Sequence, residues 1–341
     1  MHSGEKVGIL LINTGTTDAP RAPETRTYLK EFLSDPRILD INPVVRWLLL
    51  NLVILPRRPK QSAHAYSAVW TEQGSPLIVI TRELVAALKE KMPECEFAIG
   101  MRYGNPSVKS GLESLVEKNV DRIIVAPMYP QYSSAANGSA LELVYKLAGK
   151  YWNVPHISAV PPFHADKGFL DAWATLCKPM VEQFQPDLVL MSYHGLPERQ
   201  IKKSDITGQY CLKHDCCCEE VVDANRNCYR AHCFQTSRAL AERLGLPQEQ
   251  WSVSFQSRLG RDPWIKPATD LVIPTLPKKG IKRLAVICPA FTADCLETLE
   301  EIAIRARSDF LMAGGEAFQH IPCLNAHPAW VDALAALLRR Y

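Results

Sequence analysis

Leu188-Val189-Leu190-Met191-Ser192-Tyr193-His194-Gly195-Leu196-Pro197 is an apolar run that stops at a histidine, a glycine and a proline. Residues 188–193 are too short a stretch for an ordinary helix, and Gly195 and Pro197 close it, so it reads as a strand. A strand apolar on both faces is buried on both, which is the pattern of a parallel sheet covered by helices. His194 then stands at a carboxyl strand end, the side of such sheets on which ligands sit.

The pattern repeats on either side of this stretch. Residues 7–12, 96–101, 122–126, 156–160, 252–256 and 283–288 are short, mostly Ile, Val, Leu or Ala, and end at Gly, Pro or Asn. Helical patterns lie between them, at 82–91, 111–118, 140–150, 169–184, 235–244 and 294–306. The alternation predicts an α/β protein of two tandem doubly wound, Rossmann-like domains with parallel sheets. Pro161-Pro162-Phe163 is the expected seam, giving domains over 1–163 and 164–341, and 341 residues suit two cores better than one.

Hydrophobic residues make up 47% of the chain and charged residues 22%, as in ordinary globular proteins. The net charge of +3, with no isolated Lys/Arg block, argues against a nucleic-acid partner. The start, Met1-His2-Ser3-Gly4-Glu5-Lys6, lacks the basic and apolar regions of a secretion signal, so a cytoplasmic location is expected. No apolar run reaches the roughly 20 residues that span a bilayer.

Four constellations carry chemistry. His194 suits proton abstraction near neutral pH, although position alone leaves a capping or core histidine equally open. Asp294, Glu297 and Glu301, spaced i, i+3, i+7 on the expected helix 294–306, share one face that Glu300 does not. Carboxylates so close repel one another, and partial burial raises their pKa values, which suits proton relay or cation handling; a solvated acidic helix start is the plainer alternative. An apolar lip at about 41–58, Val44-Val45-Arg46-Trp47-Leu48-Leu49-Leu50-Asn51-Leu52-Val53-Ile54-Leu55-Pro56-Arg57-Arg58, is either a buried helix, a wall for a flat apolar ligand, or a peripheral contact with a membrane surface. Of eleven cysteines, six crowd into 211–233: Cys211, Cys216, Cys217, Cys218, Cys228 and Cys233. In a chain without a secretion signal that crowding reads as a 2Fe–2S cluster or zinc before disulfides, and the paired Cys-x-x-Cys of a zinc ribbon is missing.

Taken in order, these segments resemble the ferrochelatases, which insert ferrous iron into a porphyrin to make haem. The resemblance rests on the His194 segment and on Ile12-Asn13-Thr14-Gly15-Thr16, Ser67-Ala68-Val69-Trp70 and Gly74-Ser75-Pro76. It continues through Tyr129-Pro130-Gln131-Tyr132-Ser133, Phe255-Gln256-Ser257-Arg258-Leu259-Gly260, Asp262-Pro263-Trp264 and the run from Pro289 to Glu301. It implies a chelatase-like fold, protoporphyrin IX and ferrous iron as substrates, and catalytic roles for His194, Glu297, Glu301 and Asp294. His194 and Glu297 are the residues it implies for iron contact. Thr14, Arg57, Arg58, Tyr66, Ser75, Tyr132 and Trp264 fall at or near porphyrin positions. Thr14 stands where relatives carry Tyr or Met, and Cys295 where some carry His. The cysteine patch resembles an insertion that holds a 2Fe–2S cluster in some bacterial relatives, implying Cys211, Cys218, Cys228 and Cys233 as ligands, Cys217 as the alternative to Cys218, and Cys216 as surplus. A chelatase for coproporphyrin III or cobalt and a non-catalytic iron–sulfur or haem sensor are the competing expectations, and no oligomeric state is implied.

Overall fold

The computed structural model describes residues 4–258 and 262–341, so Leu259 and Gly260 of the Phe255 motif, and the first three residues of the chain, lie outside the described residues. Among the described residues are eight strands: β1 (Val7–Gly15), β2 (Cys95–Tyr103), β3 (Arg122–Pro127), β4 (His156–Ala159), β5 (Leu188–His194), β6 (Trp251–Gln256), β7 (Arg283–Ile287) and β8 (Ala317–His320). They form two four-stranded parallel sheets of the same winding, β2-β1-β3-β4 and β6-β5-β7-β8. The expected α/β class with twin parallel sheets is therefore what the chain adopts.

The central strands explain the apolar runs. Ile9, Leu10 and Ile12 on β1, Val189, Leu190 and Met191 on β5, and Leu284 to Ile287 on β7 are wholly buried, as both-face coverage by helices requires. Gly15 ends β1 at φ +105°, where a Cβ would lie 1.8 Å from the Tyr103 carbonyl oxygen, so only glycine fits. Two strands were not anticipated in full. β8 is a half-exposed edge strand whose Ala317-Phe318-Gln319-His320 has no apolar run, and β2 continues past Met101 into the polar Arg102.

The chain divides into two compact units. One comprises Met1–Met128, Ser134–Pro161 and Leu334–Tyr341; the other comprises Tyr129–Ser133 and Pro162–Ala333. Within each sheet the winding reverses, between β1 and β3 in the first and between β5 and β7 in the second. Ligands of doubly wound sheets bind at such reversals, beyond the carboxyl strand ends. His194 and the turn after β7 lie at that point of the second unit.

In the first unit the lip is not a buried helix. Asn42 caps its start by accepting from the Val44 and Val45 N–H groups, and Pro43 occupies the first turn. An α-helix, Pro43–Leu48, passes into a π-helical stretch, Leu49–Ile54, and then into the helix Leu55–Val69. Val44, Trp47 and Leu52 are 66%, 60% and 62% exposed, while Leu50 and Leu55 are buried inward. The helix thus shows solvent a contiguous apolar face, the kind of patch that marks a binding surface. Among the described residues no helix is long and apolar enough to cross a membrane.

Candidate active site

The second unit builds a site at its winding reversal. β5 delivers His194, and the next residues are clamped by backbone bonds: Gly195 N–H to the Gln256 carbonyl at 2.8 Å, Glu198 N–H to Pro263 at 2.9 Å, and Ile265 N–H to Leu196 at 3.0 Å. That pairing lays Trp264 against Gly195, where a Cβ would come within 2.9 Å of the Gln256 oxygen and 3.1 Å of the indole. Glycine after the histidine is therefore a close-approach requirement. His194 Nδ1 lies 2.7 Å from the Gly195 carbonyl oxygen. A carbonyl only accepts, so Nδ1 carries a proton, and in the neutral ring Nε2 is the nitrogen that holds the lone pair.

Past β7 the chain turns through Cys288 to Thr292 and enters the acidic segment. The expected α-helix 294–306 is instead a π-helix, Glu297–Ala306, continued by an α-helix, Arg307–Met312; the Arg307 N–H bonds to the Ile302 carbonyl five residues back. Such i→i+5 winding is rare and is often found at functional sites. Nothing in amphipathic period distinguishes it from an α-helix, which is why the sequence did not reveal it.

Each carboxylate has a distinct setting. Asp294 is buried, with its oxygens accepting from Thr298 Oγ1 (2.8 Å), Asn325 Nδ2 (2.8 Å) and the Cys323 N–H (3.2 Å), and with His320 Nε2 at 4.0 Å. It ties the start of the π-helix to the segment after β8. Glu297 is half-buried, and its backbone carbonyl accepts from Gln256 Nε2 at 2.9 Å. Gln256 in turn accepts from Ser192 Oγ at 2.7 Å, so β5, β6 and the π-helix share one buried amide. Glu301 accepts from Ser257 Oγ at 2.6 Å. Burial pushes its pKa up; Ser257 pulls it back, the Glu297 charge adds to the rise, and His194 and Arg305 oppose it. Glu300 pairs with Arg305, whose guanidinium also reaches Glu301 at 3.9 Å. Asp294 precedes the π-helix, so the expected stripe of three carboxylates on one α-helical face is not formed as such; Glu297 and Glu301 lie on the π-helix and Asp294 at its approach.

Gln256 and Ser257 had no role in the sequence reading. Ser257 holds φ +68°, a left-handed conformation uncommon for a residue with a side chain, and this aims its hydroxyl at Glu301. Their place at the end of β6 was the available signal. Tyr132 is held through its N–H, 3.2 Å from His232 Nδ1. Trp264 is half-buried.

In the first unit, Thr14 lies near the end of β1, with its N–H bonded to Asn13 Oδ1 at 2.9 Å. Ser75 is buried and donates to Thr16 Oγ1 at 3.0 Å. Tyr66 is buried edge-on between Tyr28 and Trp70, at 6.4 and 6.2 Å. Arg57 and Arg58, at the end of the lip, are exposed on the helix Leu55–Val69.

The cysteine segment gathers its thiols. Cys211, Cys217, Cys218, Cys228 and Cys233 are buried, while Cys216 is exposed. Cys228 contacts the Cys211 and Cys218 thiols, and Cys217 Sγ lies 3.7 Å from Cys218 Sγ. Arg230 Nη1 stands 3.0 Å from Cys218 Sγ, and the Leu212 N–H stands 3.4 Å from Cys217 Sγ. The Cys228 thiol is pushed up to about 12, first by its contact with Cys211 and also by burial. Among the described residues no three or more His, Cys, Asp and Glu side chains are arranged to enclose a single metal ion. A two-iron cluster sets a different requirement, with thiolates divided between two irons. Several buried thiols beside an arginine and an amide donor fit that donor set, because both donors stabilise sulfur carrying negative charge.

The family model described as Ferrochelatase matches residues 6–341. A ferrochelatase of Coxiella burnetii is 45% identical over 100% of this chain and 95% of its own length. Those of Azotobacter vinelandii and Pseudomonas aeruginosa are 44% and 43% identical over 97% of this chain, covering 98% and 97% of theirs. Among solved structures, SirB from Bacillus subtilis with Fe3+ aligns at a TM-score of 0.53 and 15% identity, covering 98% of this chain and 95% of SirB, which speaks to fold alone. With its matching model spanning both units and its relatives aligned end to end, this chain belongs to the ferrochelatase family.

Proposed function

We propose that this protein is a lyase that inserts ferrous iron into protoporphyrin IX to form protohaem, with His194 as the base that removes pyrrole protons. The observation that carries this reading is the placement, at one winding reversal, of an imidazole bonded through Nδ1 to the Gly195 carbonyl beside two carboxylates on the neighbouring segment. Metallation consumes a free-base macrocycle with two N–H groups and one Fe2+ and yields haem and two protons. His194 Nε2 accepts a pyrrole proton, a step for which neutral imidazole is matched to working pH. Glu297 contacts the iron and offsets its charge. Glu301, whose proton affinity is raised, takes protons onward, with Ser257 holding its carboxylate. Asp294 fixes the start of the π-helix that carries both glutamates. The family resemblance assigns Thr14, Tyr66, Ser75, Tyr132 and Trp264 to porphyrin contact and Arg57 and Arg58 to its carboxylates, and the exposed lip is an apolar wall of the kind such a ligand needs. The same exposed face supports peripheral contact with a membrane surface.

The resident cofactor of this reading is a 2Fe–2S cluster on Cys211, Cys218, Cys228 and Cys233. When bound it supplies a cross-link and a redox-active centre to the segment. The exposure of Cys216 supports its omission, and the Arg230 contact supports Cys218 over Cys217.

Two measurements on anaerobically purified protein test these assignments. Ferrous iron and cobalt are offered with protoporphyrin IX, coproporphyrin III and sirohydrochlorin; ferrous iron with protoporphyrin is expected to turn over fastest, and a preference for another pair contradicts the substrate assignment. The visible spectrum is expected to be that of a brown iron–sulfur protein, whereas a colourless, zinc-containing protein contradicts the cluster.

A further inference from the structure

One buried imidazole joins the Tyr129–Ser133 segment to the cysteine segment. His232, on the helix Tyr229–Leu244, is 2% exposed. Its Nδ1 lies 3.2 Å from the Tyr132 amide nitrogen, and its Nε2 lies 2.8 Å from the Arg226 carbonyl oxygen. An amide N–H only donates and a carbonyl only accepts, so the ring is neutral, protonated on Nε2, with both nitrogens engaged. The His164 ring stacks on it at 3.6 Å and 9°, which fixes its tilt. Arg226 precedes Cys228 by two residues, and Asn225, beside it, bonds to the Cys217 carbonyl at 2.8 Å. A shift of the cysteine segment at residue 226 is therefore carried to the Tyr132 backbone by a flat, rigid ring bonded at both ends.

We propose that His232 is a positioning residue that couples porphyrin binding by the Tyr129–Ser133 segment to the closed conformation of the cysteine segment, the one in which five of its six thiols are buried. The proposal rests on the reading of Tyr132 as a porphyrin contact. Coupling of this kind is reciprocal: the factor by which the closed segment tightens porphyrin binding is the factor by which porphyrin holds the segment closed. Gln131 supplies the contrast. It bonds to Thr236 on the same helix at 3.1 Å, and Thr236 donates to the His164 carbonyl at 2.9 Å, a route that does not pass through residue 226.

The test uses full-length protein purified without oxygen and protoporphyrin IX with no iron added. Porphyrin affinity is read by fluorescence titration. Opening of the cysteine segment is read as labelling of Cys217, a buried thiol of the segment outside the proposed ligand set, located by peptide mass spectrometry with and without porphyrin. His232→Asn keeps an acceptor near Nδ1 and loses the Arg226 bond; His232→Gln keeps a donor near Nε2 and loses the Tyr132 bond. Each variant is expected to bind porphyrin about three- to ten-fold more weakly, the worth of one hydrogen bond, and to lose the protection that porphyrin gives the buried thiols. Thr236→Val is expected to weaken binding while keeping that protection. If both folded His232 variants bind porphyrin and protect their thiols as the wild type does, the coupling is overturned while the substrate reading stands. If wild-type protein binds no porphyrin, the reading beneath it falls and takes the coupling with it.

Discussion

Glu297, Glu300 and Glu301 are three glutamates within five residues, and their surroundings separate them. Glu300 pairs with Arg305, which also reaches Glu301 at 3.9 Å, but only Glu301 is held by Ser257 and feels both Glu297 and His194. Glu297→Gln is expected to lower kcat/KM for ferrous iron at least about ten-fold, in keeping with loss of a charged contact worth 1.5–3 kcal/mol, while Glu300→Gln changes it less than about two-fold. Steady-state kinetics with iron varied at saturating porphyrin decide this, and equal losses would contradict the assignment. Glu301 also has a stability consequence. Its folded pKa is raised above the ordinary 4.5, chiefly by burial, so its favourable contribution is full below the ordinary value and fades as pH rises through the folded one. Glu301→Gln removes that dependence. Between about pH 4 and about pH 8 the variant should therefore gain melting temperature relative to wild type, and thermal melts that respond alike would contradict the burial argument. The acidic residues were conspicuous in the sequence by their spacings of three and four, but the π-winding and the place of Asp294 ahead of it were not. Ser257 and Gln256 were not, since nothing in a strand end announces a left-handed φ or a shared amide.

At the scale of elements, apolar strand runs were easy to read and helix type was not. β1, β5 and β7 are buried on both faces, and their runs of Val, Ile and Leu have no other reading. The lip and the acidic segment both contain π-helical turns, set by i→i+5 bonding that residue period does not encode. Whether the lip was core or surface was also open from sequence, because a helix apolar all round fits either. Its exposure now gives a specific expectation. Trp47→Ser combined with Leu52→Ser removes side chains 60% and 62% exposed, so melting temperature should hold, while porphyrin affinity should fall at least about three-fold through lost apolar contact. Fluorescence titration measures the affinity, and an unchanged value would leave the face to a membrane surface alone. The cysteine segment was conspicuous by count, but which thiols lie inward emerged only from the fold, through burial of five and exposure of Cys216.

For the whole molecule, two sheets with the same winding place their reversals at β1/β3 and β5/β7, and the second reversal holds the histidine and the carboxylates. Order along the chain alone could not say that β5 and β7 are neighbours, since β6 comes between them in sequence; the crossover does that, and it turns two strand-end motifs into one site. The residues proposed for the porphyrin came from family resemblance alone, because no local pattern joins Thr14 to Ser75, which the fold brings beside Thr16. The central claim is that His194 removes protons from the bound macrocycle. Single-turnover metallation of protoporphyrin IX by anaerobic ferrous iron, followed as haem absorbance in wild type and in folded His194→Ala, tests it most directly. A fall of about 10²–10⁴ in rate with porphyrin affinity retained is the predicted result; a variant that metallates at the wild-type rate would contradict it.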